Sequence, residues 1–215
     1  MRDHYDSKDV AEKYHASFNE GIDNSATVQK AIDRFYKFLR NVRDSGHILD
    51  ASCSTGRFVK YFTRKGYRVT GIDTSQAMLE ITIRENPETD FANMDMRNLR
   101  FPANHFDSIW NSGCILHFEE TGVAETFKEP NLVLRNGGAF FDATRVKDKD
   151  TVVKRESREG GEMLVRYYSK EKLILFLNRA GFEILEISTE PDDFGRPFEY
   201  CYMFTQNAKG EITNI

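Results

Sequence analysis

Residues 47–79 read HILDASCSTGRFVKYFTRKGYRVTGIDTSQAML, and this stretch decides the fold. His47–Asp50 is a short apolar run that reads as a buried strand. Ala51–Gly56 is a turn of small residues. Thr55–Lys65 has Phe58, Val59 and Phe62 on one face and stops at Gly66, which predicts a helix. Tyr67–Ile72 predicts a second strand, and Ser75–Glu85 a second helix. A strand, a helix, a strand and a helix joined by short turns imply a parallel sheet with helices packed on it.

The pattern continues on both sides. Val28, Ala31, Ile32, Phe35, Leu39 and Val42 form an apolar stripe at helical spacing, ended by Asp44, Ser45 and Gly46. Thr89–Ala92 and Phe106–Trp110 predict a third and a fourth strand. Glu119–Arg135 predicts a helix that Pro130 breaks or kinks. Asn136–Gly138 reads as a turn and Ala139–Thr144 as a fifth strand. Residues 145–162 are highly charged and without periodicity, so they read as a solvent-exposed insertion. Ser169 opens a helix bearing Leu173, Phe176, Leu177 and Ala180, with Gly181 as its cap. Phe182–Thr189 and Glu199–Thr205 follow with no helix between them, and are expected to pair antiparallel at one sheet edge.

The expected fold is therefore α/β, a Rossmann-like three-layer sandwich. Its sheet is mostly parallel and seven-stranded, with an antiparallel C-terminal edge strand. Residues 1–24 form a polar N-terminal arm and candidate lid, residues 25–215 a single domain. The 145–168 insertion within that domain is a candidate acceptor-site cover.

The chain has 215 residues, 40% hydrophobic and 30% charged, which suits a domain with its own core. A net charge of -4 argues against a nucleic-acid partner, which calls for a basic face. Cys53, Cys114 and Cys201 are far apart and odd in number, which fits neither a disulfide framework nor a zinc site. The charged amino terminus has no apolar core of a signal peptide, and no apolar run approaches the roughly 20 residues of a membrane span. The expectation is a cytoplasmic protein with reduced thiols, a monomer or homodimer, with no membrane and no metal partner.

In open α/β sheets, ligands bind beyond the carboxyl ends of the strands. The small-residue turn after Asp50 lets a ligand approach the backbone, and Asp73, ending the second strand, suits ribose hydroxyls. At this point the residues resemble a family. HILDASCSTGRFVKYFTRKGYRVTGIDTSQAML is similar to motif I and the following strand of the class I S-adenosylmethionine (SAM)-dependent methyltransferases. FDSIWNSGCILHF resembles their fourth strand and its loop, LVLRNGGAFF the entry to strand five, and RYYSKEKLILFLNRAGFEILEI the last helix and sixth strand. The match covers roughly residues 28–206. Within the family it looks most like small bacterial enzymes that methylate small molecules, on SIWNSGCILH and the D-x-x-G-R-P-x-E stretch around Asp193–Glu199.

The resemblance implies methyl transfer from SAM, leaving S-adenosylhomocysteine, to a small-molecule acceptor. It implies that Asp50 and the backbone of Ala51, Ser52 and Ser54 hold the methionine end. Asp73 would bind the ribose, with Thr74 and Met78 beside the nucleoside. Asp95 would take the adenine amino group and Met96 would pack on the ring. Asn111 and Ser112 would face the sulfonium. The family pattern D-x-G-x-G-x-G is altered: Ser52 and Ser54 replace two glycines and only Gly56 remains. A serine forced to positive φ costs about 1–2 kcal/mol. This change keeps open a second reading, a degenerate methyltransferase fold that binds SAM or a nucleoside without turnover.

His117, following strand four, is the candidate general base, with a helix-start or packing role as its alternative. Tyr14, His117 and Tyr168 are candidate acceptor-site residues. Tyr5, Tyr14 and Phe18 either fold over the cleft or pack on the surface. Tyr167 and Tyr168 line the acceptor pocket or belong to the core, and Phe58, Trp110 and Phe118 share that ambiguity. Arg155 and Arg158 are candidates to meet an acidic substrate. A nicotinamide-dependent oxidoreductase would need G-x-G-x-x-G at the first turn, which is absent.

Overall fold

The computed structural model describes residues 2–19, 26–42, 46–157, 159–191 and 197–208. In chain order it contains α1 (Arg2–Tyr5), α2 (Lys8–Asn19), α3 (Ala26–Val42), β1 (His47–Asp50), α4 (Arg57–Arg64), β2 (Arg68–Asp73), α5 (Gln76–Glu85), β3 (Asp90–Asn93) and β4 (Phe106–Ser112). A single 3-10 turn, Ile115–His117, precedes α6 (Glu120–Val133), β5 (Leu134–Val146), β6 (Thr151–Glu156), β7 (Glu162–Tyr167), α7 (Lys170–Arg179), β8 (Phe182–Pro191) and β9 (Glu199–Asn207).

Seven strands form one sheet in the order β3-β2-β1-β4-β5-β9-β8. The β1–β2, β2–β3, β1–β4 and β4–β5 pairs are parallel, and β9 runs antiparallel to both β5 and β8. The C-terminal edge is thus an antiparallel arrangement in which β9 fills the position between β5 and β8. The chain moves outward from β1 to β2 and β3, then returns to β4 on the other side of β1. That reversal opens a crevice at the carboxyl ends of β1 and β4.

Side-chain alternation sorts the core into two layers. Leu49, Ile109, Phe140 and Met203 face Val123 and Phe127 of α6 and Leu173, Phe176 and Leu177 of α7. Ile48, Trp110, Phe141 and Phe204 face Ile32, Phe35 and Leu39 of α3 and Phe58, Val59 and Phe62 of α4. The aromatic ambiguity of Trp110 and Phe58 resolves here toward packing: Trp110 stacks on Phe141 at 4.0 Å between ring centroids and meets Phe58 at 4.8 Å.

Three expectations are corrected. The 145–162 segment is not an aperiodic insertion, because β6 and β7 pair antiparallel across it. Met163, Val165 and Tyr167 alternate inward, packing with Leu116 and Phe198, while the outward positions mix charged residues, as in the Lys154–Glu162 pair at 2.5 Å, with the exposed Val152 and Leu164. The high charge of the outer face hid the period of two. Pro130 does not end α6, which continues to Val133. It stands in the last turn, and its own carbonyl accepts from the Leu134 N–H. Asn136–Gly138 is a bulge inside β5 rather than a turn before it: pairing with β4 passes from Leu134 directly to Ala139. Asp44 and Ser45, the expected end of α3, lie outside the described residues, as do Arg158 and the Asp193 end of the late motif.

The arm is helical. Ala11 is fully buried against Ala77, Met78 and Ile81 of α5. The Tyr5 carbonyl accepts from the Ser75 hydroxyl at 2.7 Å, and the Asp6 carboxylate accepts from the Gln76 N–H at 3.1 Å. Among the described residues no helix is long and apolar enough to cross a membrane.

Phe35 anchors α3 to the sheet, fully buried against Phe62, Trp110 and Phe141. Phe35→Ala is expected to destabilise the fold by about 3–5 kcal/mol. Leu175→Ala, on the exposed side of α7, should cost under about 1 kcal/mol. Urea unfolding followed by circular dichroism measures both, and equal effects would refute this layer assignment.

Candidate functional site

The turn after β1 is pinned from below by backbone bonds. The Ala51 N–H donates to the Trp110 carbonyl at 2.9 Å and the Cys53 N–H to the Ile72 carbonyl at 2.9 Å. The Ser54 N–H donates to Asp73 Oδ2 at 2.9 Å, while Asp73 Oδ1 accepts from the Ser75 N–H at 2.9 Å. One carboxylate thus ties the first turn to the start of α5. Burial raises the Asp73 carboxyl above the usual range, opposed by those N–H groups.

The two serines behave differently. Ser54 is left-handed, with φ 51°, so it carries the strain a glycine would avoid. Ser52 is not among the positive-φ residues, and its hydroxyl donates to Asn111 Oδ1 at 2.9 Å. Asn111 in turn donates from Nδ2 to Asp142 Oδ1. Gly56, at φ 86°, begins α4, and a Cβ there would lie 2.0 Å from Thr82 Oγ1. That contact explains why this position alone keeps its glycine.

Above the turn lies a cavity of about 480 Å³. Ala51, Ser52 and Ser54 line it from the first turn, Asp73, Thr74 and Met78 from the second, and Asp95 and Met96 from the loop after β3. Ser112 lines it from the end of β4, and Tyr14 and His117 from the far side. Four predicted residues stand apart from its wall. Asp50 is buried beside Ala51, and burial followed by the nearby Asp73 charge pushes it up to about 7, opposed by the Ser52 N–H. Gly56 and Asn111 act through the backbone turn and the Ser52 hydroxyl. Tyr168 is in the core, its hydroxyl donating to the Phe118 carbonyl at 2.6 Å.

The wall also contains Tyr5 and Phe118, for which the sequence left a place at the cleft open, and Ser75, Met94, Arg97, Gly113 and Cys114, which the sequence reading did not place there. Met94 was legible in principle, two residues before Met96 in the same loop. Arg97 was not. It grips Asp95 with Nε to Oδ1 at 2.9 Å and Nη2 to Oδ2 at 2.6 Å, and lies over the Phe118 ring at 4.4 Å. Asp95 therefore meets the cavity already engaged.

His117 ends the 3-10 turn with its ring 5.9 Å from that of Tyr5. Its Nδ1 is buried without a partner. Burial, then the Arg145 and Arg155 charges, push it down to about 4, so it is neutral above that pH and offers a lone pair. Phe18's side chain lies outside what is described.

Residues 48–138 match a family model described as a methyltransferase domain. Over 115 residues the chain is 31% identical to the Bacillus subtilis protein named "Putative methyltransferase YqeM", covering 51% of this chain and 47% of that one. The chain spans about half the length of the curated relatives it matches. A SAM-dependent methyltransferase from Clostridium acetobutylicum superposes with a TM-score of 0.72 at 15% identity, covering 91% of this chain and 98% of that one. The 1,6-didemethyltoxoflavin-N1-methyltransferase of Burkholderia thailandensis, solved with its 1,6-didemethyltoxoflavin and S-adenosylhomocysteine, gives 0.67 at 19% identity, covering 92% and 87%. The fold is the one these methyltransferases share.

Gly56→Ala is expected to cost about 2–4 kcal/mol through strain and collision. Ser54→Gly should change stability by no more than about 1 kcal/mol, relieved strain being offset by chain entropy. Urea midpoints decide between them, and a harmless alanine at 56 would refute the crowding. Burial pushes Asp142 up to about 8. The folded chain then holds a proton that the unfolded chain releases near pH 4, so this residue's contribution to stability falls as pH rises from about 4 to about 8. Asp142→Asn removes that loss, and its stability gain over the parent should grow between pH 5 and pH 8. An advantage that stays constant across that range would overturn the assignment.

Proposed function

We propose that this chain, built on the class I SAM-dependent methyltransferase fold with a methyltransferase domain at residues 48–138, transfers a methyl group from S-adenosylmethionine to a small-molecule acceptor. The observation that carries the reading is the cavity at the β1/β4 crevice, with Asp73 on its wall. Its donor and acceptor set suits an adenosyl amino acid. Each Asp73 oxygen accepts one backbone N–H and retains a lone pair for ribose hydroxyls. Met94, Met96 and Phe118 provide apolar surface for a flat base. Asp50, buried beneath the turn and met by the Ser52 N–H, adds negative charge behind the place where a cationic ammonium group would sit.

When bound, SAM supplies a methyl group on a sulfonium, which leaves as a neutral thioether. The protein's own task is alignment and exclusion of water. Ala51, Ser52, Ser54 and Ser112 orient the amino-acid end, Thr74 and Met78 flank the nucleoside, and Asp95 with Met96 borders the base. Tyr5 and Tyr14 make the helical arm a cover over the acceptor side. His117, neutral and with a free Nδ1 lone pair, accepts the acceptor's proton where one must leave.

Calorimetric titration tests the reading. S-adenosylmethionine and S-adenosylhomocysteine should bind at micromolar concentration and NAD should not. Asp73→Ala should weaken S-adenosylhomocysteine at least tenfold, equivalent to about 1.4 kcal/mol. An absence of heat with either adenosyl ligand removes the proposal, and binding without methyl transfer to any acceptor would leave a binding protein.

A further inference from the structure

Arg145 stands near the carboxyl end of β5, paired with Tyr200 of β9. Its guanidinium lies 5.0 Å from the Phe198 ring centroid and 5.8 Å from that of Tyr200. Among the described residues it makes no ion pair, and its Nη1 is buried with no hydrogen-bond partner. The two rings, at 85° to each other, stabilise the charge, but they leave the Nη1 N–H groups without an oxygen acceptor. A buried donor left in that state destabilises the chain until an acceptor reaches it. Arg145 is not on the cavity wall, but Tyr5, which packs in one cluster with Phe198 and Tyr200, and His117 are, and both feel the Arg145 and Arg155 charges. Glu159 is the buried carboxylate in this region, and its Oε2 is taken by the Ser157 hydroxyl.

We propose that the acceptor carries a carboxylate, and that Arg145 receives it behind the Tyr5–His117 pair, between that pair and the Phe198 and Tyr200 rings. The inference rests on the methyl-transfer reading for the word acceptor, but the anion site stands on its own geometry. A guanidinium offers a planar fork of N–H donors that matches the two oxygens of a carboxylate. A monoanion suits the site better than a phosphate dianion, because one half-buried cation without an ion-pair partner compensates one charge and further charge would be desolvated without a partner. The surrounding tyrosine and phenylalanine rings give the rest of such an acceptor an apolar, aromatic wall.

The test measures binding to full-length protein saturated with S-adenosylhomocysteine, by calorimetry. The probes are benzoate and 4-hydroxybenzoate, their neutral amides, and phenyl phosphate. The acids are expected to bind at least tenfold tighter than the amides and than phenyl phosphate. Arg145→Met, which keeps the packing on Phe198, should lose at least tenfold in acid binding and leave amide binding unchanged, and Arg145→Lys should fall between. Melting temperature shows that each variant is folded. Acids no better than amides, no binding of acids at all, phenyl phosphate equal to benzoate, or a fully retained preference in Arg145→Met would each overturn the proposal. Arg145-dependent binding of benzoate by a protein that ignores both adenosyl ligands would sustain the anion site while removing the methyl-transfer reading. The reverse pattern would do the opposite.

Discussion

The two oxygens of Asp73 each accept a backbone N–H, one from Ser54 and one from Ser75, and the open cleft depends on this arrangement. Parallel strands end in turns whose N–H groups have no ladder partner, and such groups must be satisfied by something. Here a single carboxylate satisfies one from each of two neighbouring turns. It also sets the entry to α5, where the Ser75 hydroxyl accepts from the Met78 N–H and donates to the Tyr5 carbonyl. The chain of bonds therefore runs from the first turn through Asp73 and Ser75 to the N-terminal arm. Loss of the carboxylate would loosen the floor of the cavity and its cover together.

A second polar line runs beneath the same turn, from Ser52 through Asn111 to Asp142. It explains how a serine is accommodated where a glycine is usual. The hydroxyl is directed to an acceptor at the end of β4, and the backbone keeps a conformation open to any residue. Ser54 has no such arrangement and takes the left-handed backbone itself. The line costs stability at higher pH, because burial raises the Asp142 carboxyl to about 8.

The hairpin of β6 and β7 adds the third component. It packs its inner residues with Leu116 and Phe198, beside His117 at the far end of the cavity. Arg145, over the Phe198 and Tyr200 rings, and Arg155 of β6 bring positive charge to this side of the molecule, while Asp73 and Asp95 line the cavity beside the small residues of the first turn.

Much of this was legible in the residues alone. The apolar runs HILD and FDSIW can be buried on both faces only at the centre of a parallel sheet. The small turn after Asp50 and the acid at 73 follow directly from what a strand–turn–helix must present to a ligand. Local spacing carries this information because each element's period is set by its own backbone. The rest depended on contacts between distant residues. The alternation in β7 became readable only when Leu116 and Phe198 defined an inner face. Asp95 meets Arg97, and Tyr168 turns away from the cavity to hold Phe118, for reasons that lie in the packing around them. Sequence determined the order of the elements and the chemistry at the first two turns. Only the tertiary structure decided which side chains share the cavity, because charge compensation and burial are properties of neighbours that the chain brings together from far apart.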